Sequence, residues 1–438
     1  MIAFVTLLLG LISGPYPIEV KVAGPVAVVE FTLDGAPAGR LARPPWIARV
    51  DLGKDLLPHE LVARALDAEG KEISRATQWL NLPRPRAEVD VVLEKGEDGA
   101  PKSALLTWQS LSSAKPSSVG LTLDGQPLIV NADGRAALPA GDLKQLHVLA
   151  AELRFPLGVV ARKDVIYGGE YGSEVSSELT AVPVRLASGA LPEPGQLGSW
   201  FTVAGQPVAA AAVEEGPGKV TAICLPSNTE VLARLVPYQK GKLDARERNQ
   251  MQLGPEDVFQ YLSISTTRFG DSRVPADLFQ MGPPLSPADG GVFFFLTQER
   301  LREGWSAEPG VRIADAVAVA GLQAAAENRR RAVLLVLGKD VEDASRYDPA
   351  MVRRYLASIH VPLFVWSLRG EDTALAKAWG PVEDISSRPR LNLAVNRLRE
   401  ALDGQRIVWV HGRHLPQAVA LTPAAKGVEI VGATPGAP

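Results

Sequence analysis

RAVLLVLGKDVEDASRYDP, residues 331–349, decides how the second half of this chain is read. Val333 to Leu337 form an unbroken apolar run, the mark of a strand covered on both faces. Asp348 and Pro349 follow as an N-cap and a first helical position, so a helix is predicted over 349–358. VPLFVWSL (361–368) is the next strand. Strand, helix and strand in that order make a parallel unit. Between the first strand and the helix lie Asp340, Glu342 and Asp343. In an open α/β sheet that is the carboxyl edge, where ligands bind.

The same alternation extends in both directions. KVTAICL (219–225) and VFQYLSIS (258–265) read as strands. Asn228 or Thr229 is placed to cap a helix between them. Ile313, Val317, Ala320 and Ala324 keep helical spacing, as do Leu391, Val395, Leu398 and Leu402, with Gly404 at the end of the last helix. RIVWVHG (406–412) reads as the strand that ends the sheet. An α/β doubly wound, Rossmann-type domain is therefore expected over 200–415, with 416–438 as a C-terminal extension. ASGALPEPGQLG (187–198), rich in Pro and Gly, reads as part of a linker over 187–199.

Upstream of that linker the period changes from helical to alternating. VEFTLDGAPAG (29–39) matches VGLTLDGQPLI (119–129), and HELVARALDA (59–68) matches HVLAAELRFP (147–156). Asp34 and His59 are 25 residues apart, Asp124 and His147 are 23 apart. Two matched features at matched separation indicate two copies of one module. Each copy carries short alternating segments divided by Gly-Pro, Asp-Gly or Glu-Gly turns, which predicts two all-β immunoglobulin-like sandwiches, over 16–84 and 85–186. The recurrence of His59 and His147 at equivalent positions assigns them a structural role.

Composition narrows the function classes. The net charge of −3 gives no electrostatic case for nucleic acid. Cys224 is the sole cysteine, so neither an intramolecular disulfide nor a cysteine-based metal site is available. The apolar run Ile2 to Ile12 is too short to span a bilayer and fits the apolar core of an export signal, although the charged residues that normally precede one are missing. Residues 1–15 are read as that signal, with a first buried strand as the other reading. The expected location is extracytoplasmic, periplasmic or secreted. No segment is long enough for an integral membrane helix. The remaining chemical lookalikes (GEDGAPKS at 96–103, HGRH at 411–414, YGGEYG at 167–172) lack the strand–helix context or spacing their chemistry requires.

The stretch RIADAVAVAGLQAAAENRRRAVLLVLGKDVEDASRYDPAMVRRYLASIHVPLFVWSL resembles the von Willebrand factor type A family. The nearest likeness is to exported bacterial forms joined to immunoglobulin-like modules. Their pattern of Leu-Asp-Gly, Leu-Gly and His-x-Leu-x-Ala stands here at Leu33-Asp34-Gly35, Leu52-Gly53 and from His59 to Gly70. The resemblance implies a metal-ion-dependent adhesion site built from Asp-x-Ser-x-Ser, a Thr and a second Asp. Here the first motif falls on Leu225-Pro226-Ser227-Asn228-Thr229, the second Asp falls on Lys339, and EPGVRI (308–313) offers no Thr. Leu225 has no ligand atom, and a Lys339 ammonium near a divalent cation opposes it by about 4 kcal/mol at an effective dielectric of 20. The site is thus expected to be degenerate at Leu225, Ser227, Thr229, Lys339 and Asp340, with no cofactor. A one-residue slip that recruits Asp340 is the alternative register. Ser227, Asn228, Asp340, Glu342 and Asp343 are the candidate binding face for a protein partner that the sequence does not name, and the oligomeric state is left open. The expected function is non-catalytic interaction or adhesion. The alternative is a cell-envelope hydrolase using the Asp340, Glu342 and Asp343 carboxylates as acid and base.

Overall fold

The computed structural model describes residues 2–6, 8, 10–22, 24–83, 87–95, 100–110, 115–139, 146–156, 160–168, 171–175, 179–187, 197–224, 232, 235, 253–262, 264, 279, 281–285, 292, 296, 311–338, 340–370 and 372–432. The chain forms two compact units, one of Met1–Pro83, Thr180–Val410 and His414–Pro438, the other of Arg84–Leu179 with His411–Arg413.

The first copy of the repeat is a seven-stranded sandwich. Its strands are β1 (Ile2–Phe4), β2 (Pro15–Val22), β3 (Val28–Leu33), β4 (Ala36–Leu41), β5 (Ile47–Asp51), β6 (His59–Leu66) and β7 (Glu72–Leu80). They pair as β1-β2-β5 and β4-β3-β6-β7, closed over Ile18, Val29, Phe31, Val50 and Leu61. The second copy comprises β8 (Ala87–Lys95), β9 (Pro101–Ser110), β10 (Ser118–Leu123), β11 (Gln126–Pro127), β12 (Arg135–Ala137), β13 (Leu146–Arg154), β14 (Val160–Gly168) and β15 (Tyr171–Val175). These form the sheets β12-β9-β8 and β11-β10-β13-β14-β15. In both copies the Asp of the motif lies in the left-handed region (φ 51° at Asp34, 50° at Asp124) and the Gly after it follows suit, which is the two-residue turn that joins a tight hairpin. Both modules share a clamp. Asp34 accepts from His59 Nδ1 at 2.7 Å and from the Glu60 amide at 2.8 Å, and Asp124 accepts from His147 Nδ1 at 2.7 Å and from the Val148 amide at 2.8 Å. The matched spacing in the sequence is this contact.

Of the run Ile2 to Ile12, read above as an export signal, Ile2, Leu8 and Ile12 join the core of the first sandwich and Leu11 joins a core cluster of the α/β domain. β1 pairs with β2, and Leu11 and Ile12 are fully buried. Side chains of β7 and of the residue after it bond the backbone of this segment. Ile2 donates to Ser74 Oγ (3.2 Å), Leu8 to Gln78 Oε1 (2.7 Å) and Ile12 to Asn81 Oδ1 (2.8 Å). Asn81 also donates to the carbonyls of Ile12 and Leu57. The apolar run belongs to a core here, in keeping with the buried-strand reading.

A third sandwich was not foreseen. β16 (Leu179–Leu186), β17 (Phe201–Val203), β18 (Gln206–Val208), β19 (Ala210–Glu214), β25 (Gln405–His411), β26 (Val419–Leu421) and β27 (Val428–Ile430) form the sheets β19-β25-β16-β27 and β18-β17-β26 around Val184, Leu197, Phe201, Val408 and Val410. Phe201-Thr-Val-Ala-Gly-Gln-Pro207 is the Thr-Leu-Asp-Gly-x-Pro motif again, with Ala204 in place of Asp. Its turn is the same, with φ 49° at Ala204 and 78° at Gly205. So is its register, since Val203 pairs with Val419 as Leu33 does with Leu61 and Leu123 with Leu149. Five expectations are therefore corrected. RIVWVHG pairs within this sandwich rather than ending the parallel sheet, Leu197 of the expected linker is a core residue, part of the expected C-terminal extension supplies two strands, β16 leaves the second sandwich expected over 85–186, and β17, β18 and β19 come from the start of the α/β domain expected over 200–415.

Between β19 and β25 the third copy is interrupted by the α/β domain. Its sheet has the order β21-β20-β22-β23-β24, all parallel, from β20 (Lys219–Cys224), β21 (Val258–Tyr261), β22 (Arg331–Leu337), β23 (Leu363–Ser367) and β24 (Glu383–Asp384). Among the described residues the helices beside it are α1 (Ile313–Ala326), α2 (Pro349–Ser358), α3 (Ala374–Trp379) and α4 (Arg388–Asp403). α1, α2 and α3 pack on Ile223, Val333, Leu335 and Val365, and α4 on Val220, Ala332, Leu334 and Trp366. The Asp348 carboxylate accepts from the Met351 amide at 2.8 Å, the predicted cap of α2. The two ends of the insertion are tied together by Arg330, which donates to the Gly216 carbonyl (2.7 Å), the Leu402 carbonyl (3.0 Å) and Asp257 (3.0 Å). Arg331, buried and with its pKa lowered by that burial to about 10, bonds the carbonyls of Ile359 and His360 that close α2, where a cation complements the helix dipole.

Candidate functional site

The strand order places the switch point of the sheet between the carboxyl ends of β20 and β22, because the chain leaves β20 toward one edge and β22 toward the other. The residues that follow β20 there, among them Leu225, Ser227, Asn228 and Thr229, lie outside the described residues, as does Lys339 after β22. Asp340, Glu342 and Asp343 are described, and the structure separates their roles.

Asp343 is a helix cap supplied from another element. Its carboxylate accepts from the amides of Ile313 (3.0 Å) and Ala314 (3.2 Å), the first two residues of α1. It also accepts from the Ser345 amide (3.0 Å) and hydroxyl (2.5 Å), an Asp-x-Ser turn that folds the loop back on itself. A negative charge at those amides meets the positive end of the helix dipole. Arg312, at the N-cap position of α1, makes no side-chain cap bond, so Asp343 does this work from a distance in sequence.

Asp315 reciprocates. It is fully buried in the first turn of α1 and accepts from the amides of Arg346 (3.1 Å) and Tyr347 (3.3 Å) and from Arg312 Nε (2.6 Å). Its own amide donates to Ser345 Oγ at 3.1 Å. Burial raises the Asp315 pKa, and the Arg346 amide and the Arg312 charge work against that rise. Two carboxylates thus lock the rim loop 340–348 to the start of α1, and a parallel bridge between Val311 and Asp343 continues the lock.

Asp340 serves a second helix, accepting from the Leu375 amide at 3.2 Å, while Thr373 caps the same helix at the Ala376 amide (3.1 Å). Glu342 faces solvent. Of the three carboxylates in the sequence cluster, two are committed to backbone amides in different directions. Among the described residues no group of three or more His, Cys, Asp or Glu gathers where it could hold a metal ion.

The loop also reaches the first sandwich. Tyr347, buried beside Asp315, donates through its hydroxyl to the Leu11 carbonyl at 2.9 Å. Tyr355 of α2 donates to the Asn81 carbonyl at 2.9 Å, and Arg354 pairs with Asp55 at 2.5 Å. Leu11 and Leu56 share the apolar cluster of α1 and α2. Asp315, Ser345, Tyr347 and Asn81 were not singled out in the sequence. The signals were present for two of them, namely Ser two residues after Asp343 and an Asp in the first turn of a helix whose preceding residue is a poor cap.

No protein-family model matches the chain, and no curated protein matches it. Solved structures give partial likenesses. The fibronectin(III)-like modules of Clostridium thermocellum CbhA are 16% identical over 39% of this chain and 94% of that one, with a TM-score of 0.17. The central fibronectin-III array of RIM-binding protein is 10% identical over 44% and 75%, at 0.25. A structure of a 1.5-MDa bacterial ice-binding adhesin is 13% identical over 46% and 72%, at 0.15. These are all-β modules, and with every score below 0.5 the sandwich assignment rests on the strand order described above.

Proposed function

We propose that the protein is an exported, non-catalytic interaction or adhesion protein. Its α/β domain is of the von Willebrand factor A type, with a degenerate metal site, and it presents the rim around loop 340–348 to a protein partner. The observation that carries this reading is the commitment of Asp343, Asp315 and Asp340 to backbone amides. A carboxylate whose oxygens are taken up by backbone amides is held in place, and is poorly placed to meet a substrate. It builds a shaped rim without metal. Fold alone does not give function, and the reading leans on the residues of the rim. Residues 2–12 stay with the mature protein in this account, because Leu11 and Ile12 fill its core.

The test is capture from native envelope extract by the immobilised full chain, in magnesium and in excess chelator. A partner retained equally in both and lost with Asp340→Arg or Glu342→Arg supports the reading. Capture that requires magnesium, or that ignores both substitutions, refutes it.

A further inference from the structure

We infer that the first sandwich sets the conformation of the rim loop, through Leu8, Leu11 and Ile12 and the hydroxyl of Tyr347. The connection is continuous. Gln78 and Asn81 fix the backbone at Leu8 and Ile12. The Leu11 carbonyl between them receives the Tyr347 hydroxyl. The Tyr347 amide is held by Asp315, whose own amide bonds Ser345 Oγ, which in turn bonds Asp343 at the start of α1. Every group along this path is buried or half-buried. A buried hydroxyl or carbonyl deprived of its partner is costly, so the two ends favour one another's bonded state. The inference goes beyond the proposed function and needs no partner to be tested.

Tyr347→Phe keeps the ring in its core and removes the hydroxyl's hydrogen bonds to the Leu11 carbonyl and to Ser13. Tyr355→Phe is its comparison, because that hydroxyl also crosses to the first sandwich, at the Asn81 carbonyl, but from α2 rather than from loop 340–348. Amide hydrogen exchange of the full chain, read by mass spectrometry, is expected to show about tenfold faster exchange over 313–316 and 343–347 in Tyr347→Phe. In Tyr355→Phe those amides should stay near wild type. A double-mutant cycle between Tyr347→Phe and Asp343→Asn supplies a second measurement, in which the effects on rim exchange should be non-additive. The inference is overturned if the rim amides are unchanged in Tyr347→Phe, if both Tyr variants loosen them equally, or if the cycle is additive.

Discussion

Asn81→Ala tests whether the N-terminal segment is structure. Asn81 is buried with φ 54°, a conformation Asn tolerates and Ala resists. Its amide donates to the Ile12 carbonyl at 2.8 Å and the Leu57 carbonyl at 2.6 Å, and its carbonyl oxygen accepts from the Ile12 amide at 2.8 Å. Alanine leaves three backbone groups without that partner. At about 1 kcal/mol or more for each buried group deprived of its bond, and about 1 kcal/mol for a β-carbon in the left-handed region, the expected loss is roughly 4 kcal/mol. That is a large share of the roughly 5–15 kcal/mol a folded domain has in total. Asn81→Gly separates the two terms, since it removes the amide and keeps the backbone free, and should lose about 3 kcal/mol. Urea unfolding followed by tryptophan fluorescence reads both, because Trp366 and Trp379 lie in the α/β cores. A midpoint shift worth less than 1 kcal/mol in Asn81→Ala would show that residues 2–12 are an appendage, as an export signal would be.

Further outcomes follow from other buried groups. His360 is held neutral by burial and by Arg331, with its pKa lowered to about 3 from 6.5. The unfolded chain therefore takes up the proton first, so stability is complete above pH 6.5 and falls below it by up to about 1.4 kcal/mol per pH unit. Urea midpoints at pH 7.5 and 5 should show the drop, and His360→Asn, which suits φ 55°, should flatten it. Asp34→Ala and Asp124→Ala each break the same clamp and should cost about 2 kcal/mol apiece by the same assay, with unequal losses speaking against equivalence of the two copies. Ala204→Asp puts a residue that tolerates the left-handed region into the third turn and should be neutral or stabilise by about 0.5 kcal/mol, while a loss above 1 kcal/mol would contradict the third copy. Thermal unfolding should be the same in millimolar magnesium and in chelator, since a metal bound only to the folded chain at one hundred times its dissociation constant adds about 2.7 kcal/mol.

Local signals in the sequence were dependable where the contact is local or repeated. β22 and the Asp348–Pro349 start of α2 follow from short patterns, and the repeat assigned His59 and His147 a structural role without naming Asp34 and Asp124 as their partners. The third copy escaped because its two halves are separated by the whole α/β domain and its motif has lost the Asp. Ala204 removes the residue that made the repeat visible, although Thr202, Gly205 and Pro207 remain. With that copy unseen, β25 was assigned to the nearest sheet, and a strand's period does not say which sheet it joins. The 2–12 run kept two readings for a related reason. An apolar stretch of that length is equally a signal core or a buried segment, and what distinguishes them here is Gln78 and Asn81, about 70 positions away.

The acidic cluster shows why a site is harder to read than a fold. Asp340, Glu342 and Asp343 are neighbours in sequence, and proximity of carboxylates suggests shared chemistry. In the structure the direction of each carboxylate is set by whichever helix start lies nearest with uncapped amides. Asp343 turns to α1, because the residue before that helix is Arg312 and makes no side-chain cap. Asp340 turns to α3, and Glu342 turns to solvent. The demand that places these charges is thus written in residues 312–314 and 373–375, not in the cluster. A helix whose own N-cap is missing near the carboxyl edge of a sheet leaves amides that a loop carboxylate can satisfy, and Asp343 answers that vacancy at Ile313 and Ala314.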